Sequence, residues 1–510
     1  MLTWRPVRNI RISSNIAFRA IGVFCLLLLL ASCTSLPSVK PDTLDAVSQR
    51  CLNYYEKMDE LVQQQGVSDA QYARLQGYPF LRINRYLQSF RYRNLSQDQT
   101  VQWLDSLARL DRKARSLEFR NLETGLRNEL NQLLPLGKTH EESLLFCGKA
   151  LVKAYMRSPA DLESLRIRME MPSEYSQTKR ALGLYPLSSL IVENRVAAYQ
   201  REQKRKFTTP PAQGNVAGRL VRYTFGGEAG SFEEVVSDID LPTKAEGLYP
   251  PQLSAENLKR LFIRHAPVWE IDQISLDDHI GSPYWADKST LAVNTENPLV
   301  YLIPSFAQFE GQALIQLNYL VWFPARTKKG ALDLYGGFLD GVFLRVTLGE
   351  NLEPIMYETV HSCGCYHVFH PTDRVELKRT KESAEPPLAA PAVSIPQHDE
   401  NLIVRMSAGE HQVLGLYTES KRKSSVDRQY KVASYHPLRE LKTAWGTSQS
   451  MFNNKGLVPQ SKRLERLLLW VTGVESAGAM RQWGRHAIAF AEERYFDEPF
   501  LIETFFKTHD

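Results

Sequence analysis

The sequence predicts an α+β protein with a helical N-terminal domain, an antiparallel β-rich, sandwich-like central domain and helical C-terminal elements. Two observations support this fold class. Apolar residues recur at helical spacing in the first part of the chain, and short segments of β-branched and aromatic residues follow in the middle. The length of 510 residues and the hydrophobic fraction of 43% are typical of a globular protein with several domains.

The predicted domain boundaries follow from these changes in pattern. We expect a lipoprotein signal peptide and lipidation site over 1–33, a tether over 34–44, a helical domain over 45–207, a connecting region over 208–265, a β-rich domain with a Cys/His cluster over 266–440, and helical elements over 441–510.

The N-terminus has the features of a bacterial export signal. Four arginines and no acidic residue accompany the run Ile21–Leu30, which holds five consecutive leucines. This run is shorter than the ~20 apolar residues that span a bilayer, and its layout is that of a secretory signal. The segment Leu30–Cys33 (Leu-Ala-Ser-Cys) resembles the lipobox of bacterial lipoproteins. The resemblance implies that Cys33 is acylated by fatty acids such as palmitate. Because Thr34 rather than Asp follows, it also implies an outer-membrane anchor facing the periplasm.

The charge balance gives no support to a nucleic-acid partner. The chain has 62 Lys and Arg against 57 Asp and Glu, and four of the arginines belong to the signal, so 58 basic residues face 57 acidic ones after export. A nucleic-acid-binding surface needs clustered basic residues. We therefore expect the membrane as a partner, through the lipid anchor, while a protein or small-molecule partner stays open.

The helical domain is predicted from capping residues and apolar periodicity. Ser96 and Gln99 have the spacing of a capping box, and apolar residues recur at helical intervals from Trp103 to Leu117. Further helices are expected to begin near Asp45, Ser143 and Pro159, and to cover Leu187–Lys206 and Ser254–His265.

The β-rich domain is predicted from short segments that end at Pro, Gly, Asn or Asp. These segments are 268–271, 290–293, 300–303, 314–323, 341–348, 355–361, 402–406 and 412–417. Strands at this spacing favour an antiparallel sandwich or a strongly bent sheet. Beyond them, apolar residues within Ser461–Val471 and Ser476–Tyr495, and Pro499 after Asp497, predict C-terminal helices.

The cysteines predict two disulfides. One of the six cysteines lies in the signal and Cys33 carries the lipid, which leaves Cys51, Cys147, Cys363 and Cys365. An even number of cysteines in an oxidising compartment favours disulfides. The natural pairing joins Cys51 to Cys147 and leaves the other two cysteines to each other.

The densest group of metal-ligand and redox residues lies in the segment 361–370. Its members are His361, Cys363, Cys365, His367 and His370. An extended segment would spread the first four over about 20 Å, at ~3.3 Å per residue, which is too far for one ion. A single metal site therefore requires a turn, and Gly364 is the residue that would allow it.

Three hypotheses for this cluster remain open. The two cysteines could form a strained, redox-active disulfide. Some of the five residues, with Asp340, could instead hold zinc or copper. In the third hypothesis the cysteines form structural disulfides and the histidines are ordinary polar residues.

Asp340 is a further candidate ligand because a hairpin is predicted around 349–351, and this hairpin would bring Asp340 near His361. The run Tyr319–Pro324, the Gly-Gly-Phe-Leu-Asp segment that ends at Asp340, and the strand Tyr357–His361 together resemble the core of the necrosis-inducing, ethylene-inducing protein family. The resemblance covers about 319–367 and implies a β-sandwich with a divalent-cation site. Asp340 stands where the Asp of the family heptapeptide stands, and the heptapeptide's two histidines and its Glu are missing.

The sequence carries no standard catalytic signature, neither a Gly-x-Ser-x-Gly, a His-Glu-x-x-His nor a phosphate loop. Catalytic residues are therefore not predicted. We expect a lipid-anchored envelope protein with a non-catalytic binding or assembly role. The alternative is a metal-dependent or thiol-redox enzyme centred on Asp340 and the segment 361–370. The substrate, the metal and the oligomeric state are not predicted.

Overall fold

The structure is a computed structural model, and it describes residues 39–41, 43–134, 138–228, 248–250, 254–378, 383–421 and 427–509. For residues 186 and 187 it describes the backbone alone. The predicted signal, the lipidation site at Cys33 and most of the tether lie outside these ranges. Residues Pro41–Asp510 belong to one compact unit, and the domain boundaries within this unit stay predictions.

Helices dominate the first part of the described chain. They are α1 (Ala46–Gln65), α2 (Arg85–Gln88), α3 (Gln97–Asn121), α4 (Thr124–Asn131), α5 (His140–Tyr155), α6 (Pro159–Arg168), α7 (Gln177–Leu182) and α8 (Tyr185–Lys206), with a small hairpin of β1 (Ala73–Leu75) and β2 (Tyr78–Ile83) between the first two. The capping box at Ser96 is confirmed, because its side chain accepts from the amide of Gln99 at 3.1 Å.

The disulfide between Cys51 and Cys147 is also confirmed. It joins α1 to α5, and both cysteines are buried where these helices pack together. The bond closes a long loop, with a sequence separation of 96 residues, so it restricts much of the helical region in the unfolded chain.

A ten-stranded sheet forms the centre of the described part. Its strands are β3 (Arg219–Glu228), β4 (Val268–Gln273), β7 (Leu299–Phe309), β8 (Gln312–Arg326), β9 (Gly337–Leu348), β10 (Pro354–His361), β11 (Val368–Pro371), β13 (Glu400–Met406), β14 (Val413–Ser420) and β15 (Arg428–Ser434). Their order across the sheet is β11-β10-β9-β8-β7-β15-β3-β4-β13-β14. The smaller strand pairs are β5 (Ser282–Trp285) with β6 (Leu291–Asn294), β12 (Val375–Leu377) with β18 (Phe506–Thr508), and β16 (Leu441–Lys442) with β17 (Ser448–Gln449).

The predicted α+β class is confirmed, and one detail differs from the expectation. The sheet is mixed and not antiparallel throughout, because β15 runs parallel to both of its neighbours and β13 runs parallel to β4. Of the two predicted forms, a sandwich and a strongly bent sheet, the structure has the bent sheet. Side chains from near both of its ends, such as Tyr357 on β10 and Leu416 on β14, belong to the same apolar core.

Both faces of the sheet are buried, as the alternation along β8 illustrates. Tyr319, Val321 and Phe323 lie in the core on one face, where the helix α9 (Ala255–Arg264) also packs. Leu320 and Trp322 lie in the core on the other face, against the C-terminal part of the chain. Alternate side chains of a strand point to opposite faces, so an unbroken apolar strand needs cover on both sides.

The C-terminal region is less helical than predicted. Its helices are α10 (Arg466–Leu469), a 3-10 turn at Trp470–Thr472, and α11 (Leu501–Phe505). The predicted helix over Ser476–Tyr495 is wrong. Gly478 and Gly484 have φ of +82° and +85°, and the amide of Arg481 donates to the carbonyl of Ser362 at 2.8 Å. These residues therefore form an irregular layer on the sheet. Their apolar spacing is the same as that of a helix, so spacing alone could not distinguish the two.

Candidate functional site

The segment after β10 turns at Gly364, as the sequence predicts. The amide of His361 donates to the carbonyl of Cys365 at 3.0 Å, and the amide of Gly364 donates to the carbonyl of His361 at 2.8 Å. Gly364 has φ of +92°, and a Cβ at this position would lie 2.1 Å from the carbonyl oxygen of Ala487. Only glycine fits this close approach, which locks the turn against the C-terminal layer.

The turn separates the predicted metal ligands instead of gathering them. His361 contacts Asp340, His367 contacts Glu358 at 3.0 Å, and the Nε2 of His370 contacts Thr359 at 3.1 Å. Among the described residues, no three His, Cys, Asp or Glu side chains are arranged to hold a metal ion. The six candidates, His361, Cys363, Cys365, His367, His370 and Asp340, are therefore not grouped around one point in the described structure, because the histidines have separate partners.

Cys363 and Cys365 are both free thiols in the structure, so the expected disulfide between them is not formed. The amide of Cys365 donates to the sulfur of Cys363 at 3.3 Å. A separate side-chain hydrogen bond between the two thiols, together with burial, raises the pKa of the Cys365 thiol well above its usual value. A thiol with a raised pKa is a poor nucleophile, because the thiolate is the reactive form.

The prediction that a hairpin brings Asp340 near His361 is confirmed. The strands β9 and β10 pair in antiparallel register, and the Nδ1 of His361 lies 3.4 Å from the Oδ1 of Asp340. The same carboxylate contacts the Nδ1 of His411 at 2.9 Å, and the Nε2 of His411 lies 3.4 Å from Asp278. Two carboxylates and two imidazoles thus form a buried chain that joins β9, β10, the β13–β14 turn and the 3-10 turn Leu276–Asp278 after β4.

The charges in this chain stabilise one another. Burial opposes ionisation of Asp340, but the two imidazoles outweigh it and hold the pKa of Asp340 well below its usual value. Burial likewise opposes the charge on His411, but Asp278 and Asp340 raise its pKa. Its ring stacks on Phe323 with centroids 4.0 Å apart, which fixes the imidazole between the carboxylates. The arrangement is that of a buried ion-pair network.

His367 belongs to a second buried network. The Nε of Arg345 donates to Glu358 at 2.8 Å, and the other oxygen of that carboxylate contacts His367. Burial lowers the pKa of His367, although Glu358 opposes this shift. The guanidinium of Arg345 also stacks over Phe496 at 3.8 Å, so this network joins β9 and β10 to the C-terminal layer.

A cavity of about 690 Å³ lies between helix α8 and the 361–367 turn. Its walls are mainly apolar and aromatic, and they come from α8, from the turn and from the segments around residues 386, 468 and 489. Tyr199 on α8 contacts Tyr366 of the turn, with ring centroids 5.6 Å apart, and Gln200 donates to the carbonyl of Pro386 at 2.7 Å. These contacts hold the helix over the cavity.

Polar side chains also reach the cavity wall. Besides Cys365, Glu385 and Glu465, they include Arg195 and Arg494. Glu385 is engaged by the amide of Ala491, which donates to it at 2.8 Å. Burial raises the pKa of Glu465 to about 7, and the charges of Arg326 and Arg463 oppose the shift only in part. Glu465 is therefore a cavity group whose charge changes near neutral pH.

The sequence interpretation found some of these residues and missed others. It singled out Asp340 and the 361–370 cluster, of which Cys365 and His367 line the cavity. It missed His411, Glu385 and Glu465, which reach the site from distant segments and carry no local motif.

No protein-family model, no curated protein and no solved structure matches the chain. Within the described ranges, no helix combines the length and the apolar character that crossing a membrane requires.

Proposed function

We propose that this chain is a lipid-anchored protein of the outer membrane, attached through Cys33 and facing the periplasm, and that it binds an apolar or amphiphilic small molecule without changing it chemically. The observation that carries the binding function is the cavity under α8. Its volume of about 690 Å³ falls within the ~300–1,000 Å³ of ordinary ligand pockets.

The chemistry of the walls indicates the class of ligand. Apolar and aromatic side chains such as Val196 and Leu469 form most of the surface, so the body of the ligand would be apolar. Glu465 supplies a carboxyl group that is largely protonated below pH 7 and can then donate or accept a hydrogen bond. A molecule with an acyl-like body and one polar head fits this arrangement.

Binding is a better account of the cavity than catalysis. The raised pKa of Cys365 keeps the only cysteine in the described cavity wall protonated and weakly reactive. The network of Asp340 and His411 is buried and does not line this cavity, so it has no access to a bound ligand from that side.

The experiment is a titration with a naphthylamine dye whose fluorescence rises in apolar surroundings. The dye should bind the purified chain, and Val196→Trp should weaken binding by at least about tenfold because the larger side chain occupies the cavity. Ile167→Trp is the matched control, since Ile167 is 54% exposed on α6 and lies outside the cavity. Equal binding by both variants, or no binding by the natural chain, would overturn the proposal.

The alternative is a thiol-redox enzyme centred on the segment 361–370. One observation favours a thiol role, namely the position of Cys365 beside Cys363 in the cavity wall. Native mass spectrometry of the protein from membranes would separate the two functions. A co-purified apolar molecule that persists in Cys365→Ser supports binding, whereas a covalent adduct lost in this variant supports the thiol enzyme.

A further inference from the structure

Large apolar side chains remain exposed around the mouth of the α8 cavity. They come from α7 and α8 on one side and from α10 and the turn after it on the other, and their exposed fractions lie between 40% and 73%. These residues, the apolar rim, are Leu182, Leu184, Leu190, Ile191, Leu467, Leu468 and Trp470. Single exposed apolar residues are ordinary, but a group of this size marks an interaction surface.

The two sides of the apolar rim form one continuous surface. Ile191 and Leu468 come from opposite sides and both line the cavity. At the other end, Gly183 packs so closely on Val471 that a Cβ added to the glycine would lie 2.9 Å from the valine Cβ. The rim therefore adjoins the cavity at Ile191 and Leu468, so whatever covers these two residues also faces the cavity.

The charges on α8 indicate what covers the rim. The helix carries five basic residues and two acidic ones, and it ends in Lys204, Arg205 and Lys206. Arg195, Arg201 and Arg205 are exposed. A second copy of this helix would bring like charges together, whereas an anionic surface is attracted to them. A helix with exposed apolar residues and an excess of basic ones is typical of proteins that lie on anionic bilayers.

We propose that the apolar rim docks onto the surface of an anionic phospholipid bilayer, with the leucines and Trp470 among the acyl chains and the basic residues of α8 at the headgroups. The inference rests on the proposed function in one respect, because docking would open the cavity toward the lipid that supplies its ligand. The predicted tether 34–44 would reach at most about 40 Å from the lipidated cysteine.

The test uses residues 34–510 without the lipid, so that only the folded surface can bind, and these residues include the whole compact unit Pro41–Asp510. The probe is flotation with vesicles of phosphatidylethanolamine and phosphatidylglycerol. We expect the chain to float and Leu190→Glu with Leu467→Glu to lower the partition coefficient by at least about tenfold, because two apolar contacts become charged. Vesicles of phosphatidylcholine alone should bind less.

The matched control is Ile274→Glu with Leu276→Glu, since these residues are 60% and 70% exposed and lie outside the rim. This variant should float like the natural chain. Neither Leu190 nor Leu467 lines the cavity, so dye binding without vesicles reports on the proposed function separately. Intact dye binding without flotation would overturn the docking proposal alone. A dimer in sedimentation equilibrium that dissociates in the rim variant, again without flotation, would overturn it in favour of a second copy.

Discussion

Replacing Glu465 by Gln should remove a pH-dependent destabilisation of the folded chain. In the folded state burial raises the pKa of Glu465 from 4.5 to about 7, and its side chain is 8% exposed. Between these two values the folded chain keeps a proton that the unfolded chain has lost, so the free energy of unfolding falls as the pH rises, by about 1.4 kcal/mol per unit. Over the whole interval the loss is about 3 kcal/mol.

Glutamine resembles the protonated carboxyl group in size and cannot ionise. Glu465→Gln should therefore match the natural chain near pH 4.5 and exceed its stability by about 3 kcal/mol near pH 8. Urea unfolding followed by tryptophan fluorescence at both pH values measures the difference. The control is Glu296→Gln at an exposed site, which should leave the midpoints unchanged. A difference that is the same at both pH values would refute the argument from burial.

Three further predictions concern stability. Replacing Cys51 and Cys147 by Ser should lower the free energy of unfolding by up to about 5 kcal/mol, because the disulfide closes a loop with a separation of 96 residues; unchanged urea midpoints would contradict this. His411→Asn should lower the free energy of unfolding by about 3 kcal/mol near pH 6 and by less at higher pH. The raised pKa of His411 stabilises the folded chain below pH 6.5, and this stability is lost as the pH rises through the folded-state pKa. Thermal melts across pH measure the difference, and a difference that does not change with pH would refute the prediction. Gly364→Ala should lower the melting temperature more than Gly446→Ala does. Both glycines have positive φ, but only at Gly364 would the added Cβ lie 2.1 Å from a carbonyl oxygen. Equal melting temperatures of the two variants would show that this contact does not matter.

Local signals in the sequence predicted local structure well. The cap at Ser96, the helix start at Asp45 and the turn at Gly364 depend on neighbouring residues only, so their patterns are readable from a short window. The pairing of Cys51 with Cys147 followed from counting the cysteines that remain after export. The α+β class followed from the same short-range patterns.

The features that depend on distant partners were not predictable. The segment Arg219–Glu228 lies in the predicted connecting region 208–265, yet it is a strand because β15 pairs beside it, some two hundred residues later. The segment Ser476–Tyr495 has helical spacing, but its amides bond to other elements and two of its glycines adopt positive φ. In both cases tertiary contacts override local preference.

The same limit applies to the candidate site. The contact between Asp340 and His361 could be predicted from the sequence, because one hairpin connects the two residues. His411 and Glu465 reach the same region from the β13–β14 turn and from the start of α10, and single charged residues in such segments carry no pattern. The cavity exists only once α8 lies across the turn, so its volume and the raised pKa of Glu465 are properties of the assembled fold.

The place of β15 in the sheet has a consequence for how the chain is made. This strand covers Arg428–Ser434, yet it lies in the interior of the sheet between β7 and β3. Without it, the other strands of the sheet would form two separate groups with unpaired inner edges. Such edges bind other strands readily, so a chain released before residue 434 would be prone to aggregation. The sheet can therefore be completed only when nearly the whole polypeptide, up to residue 434, is present.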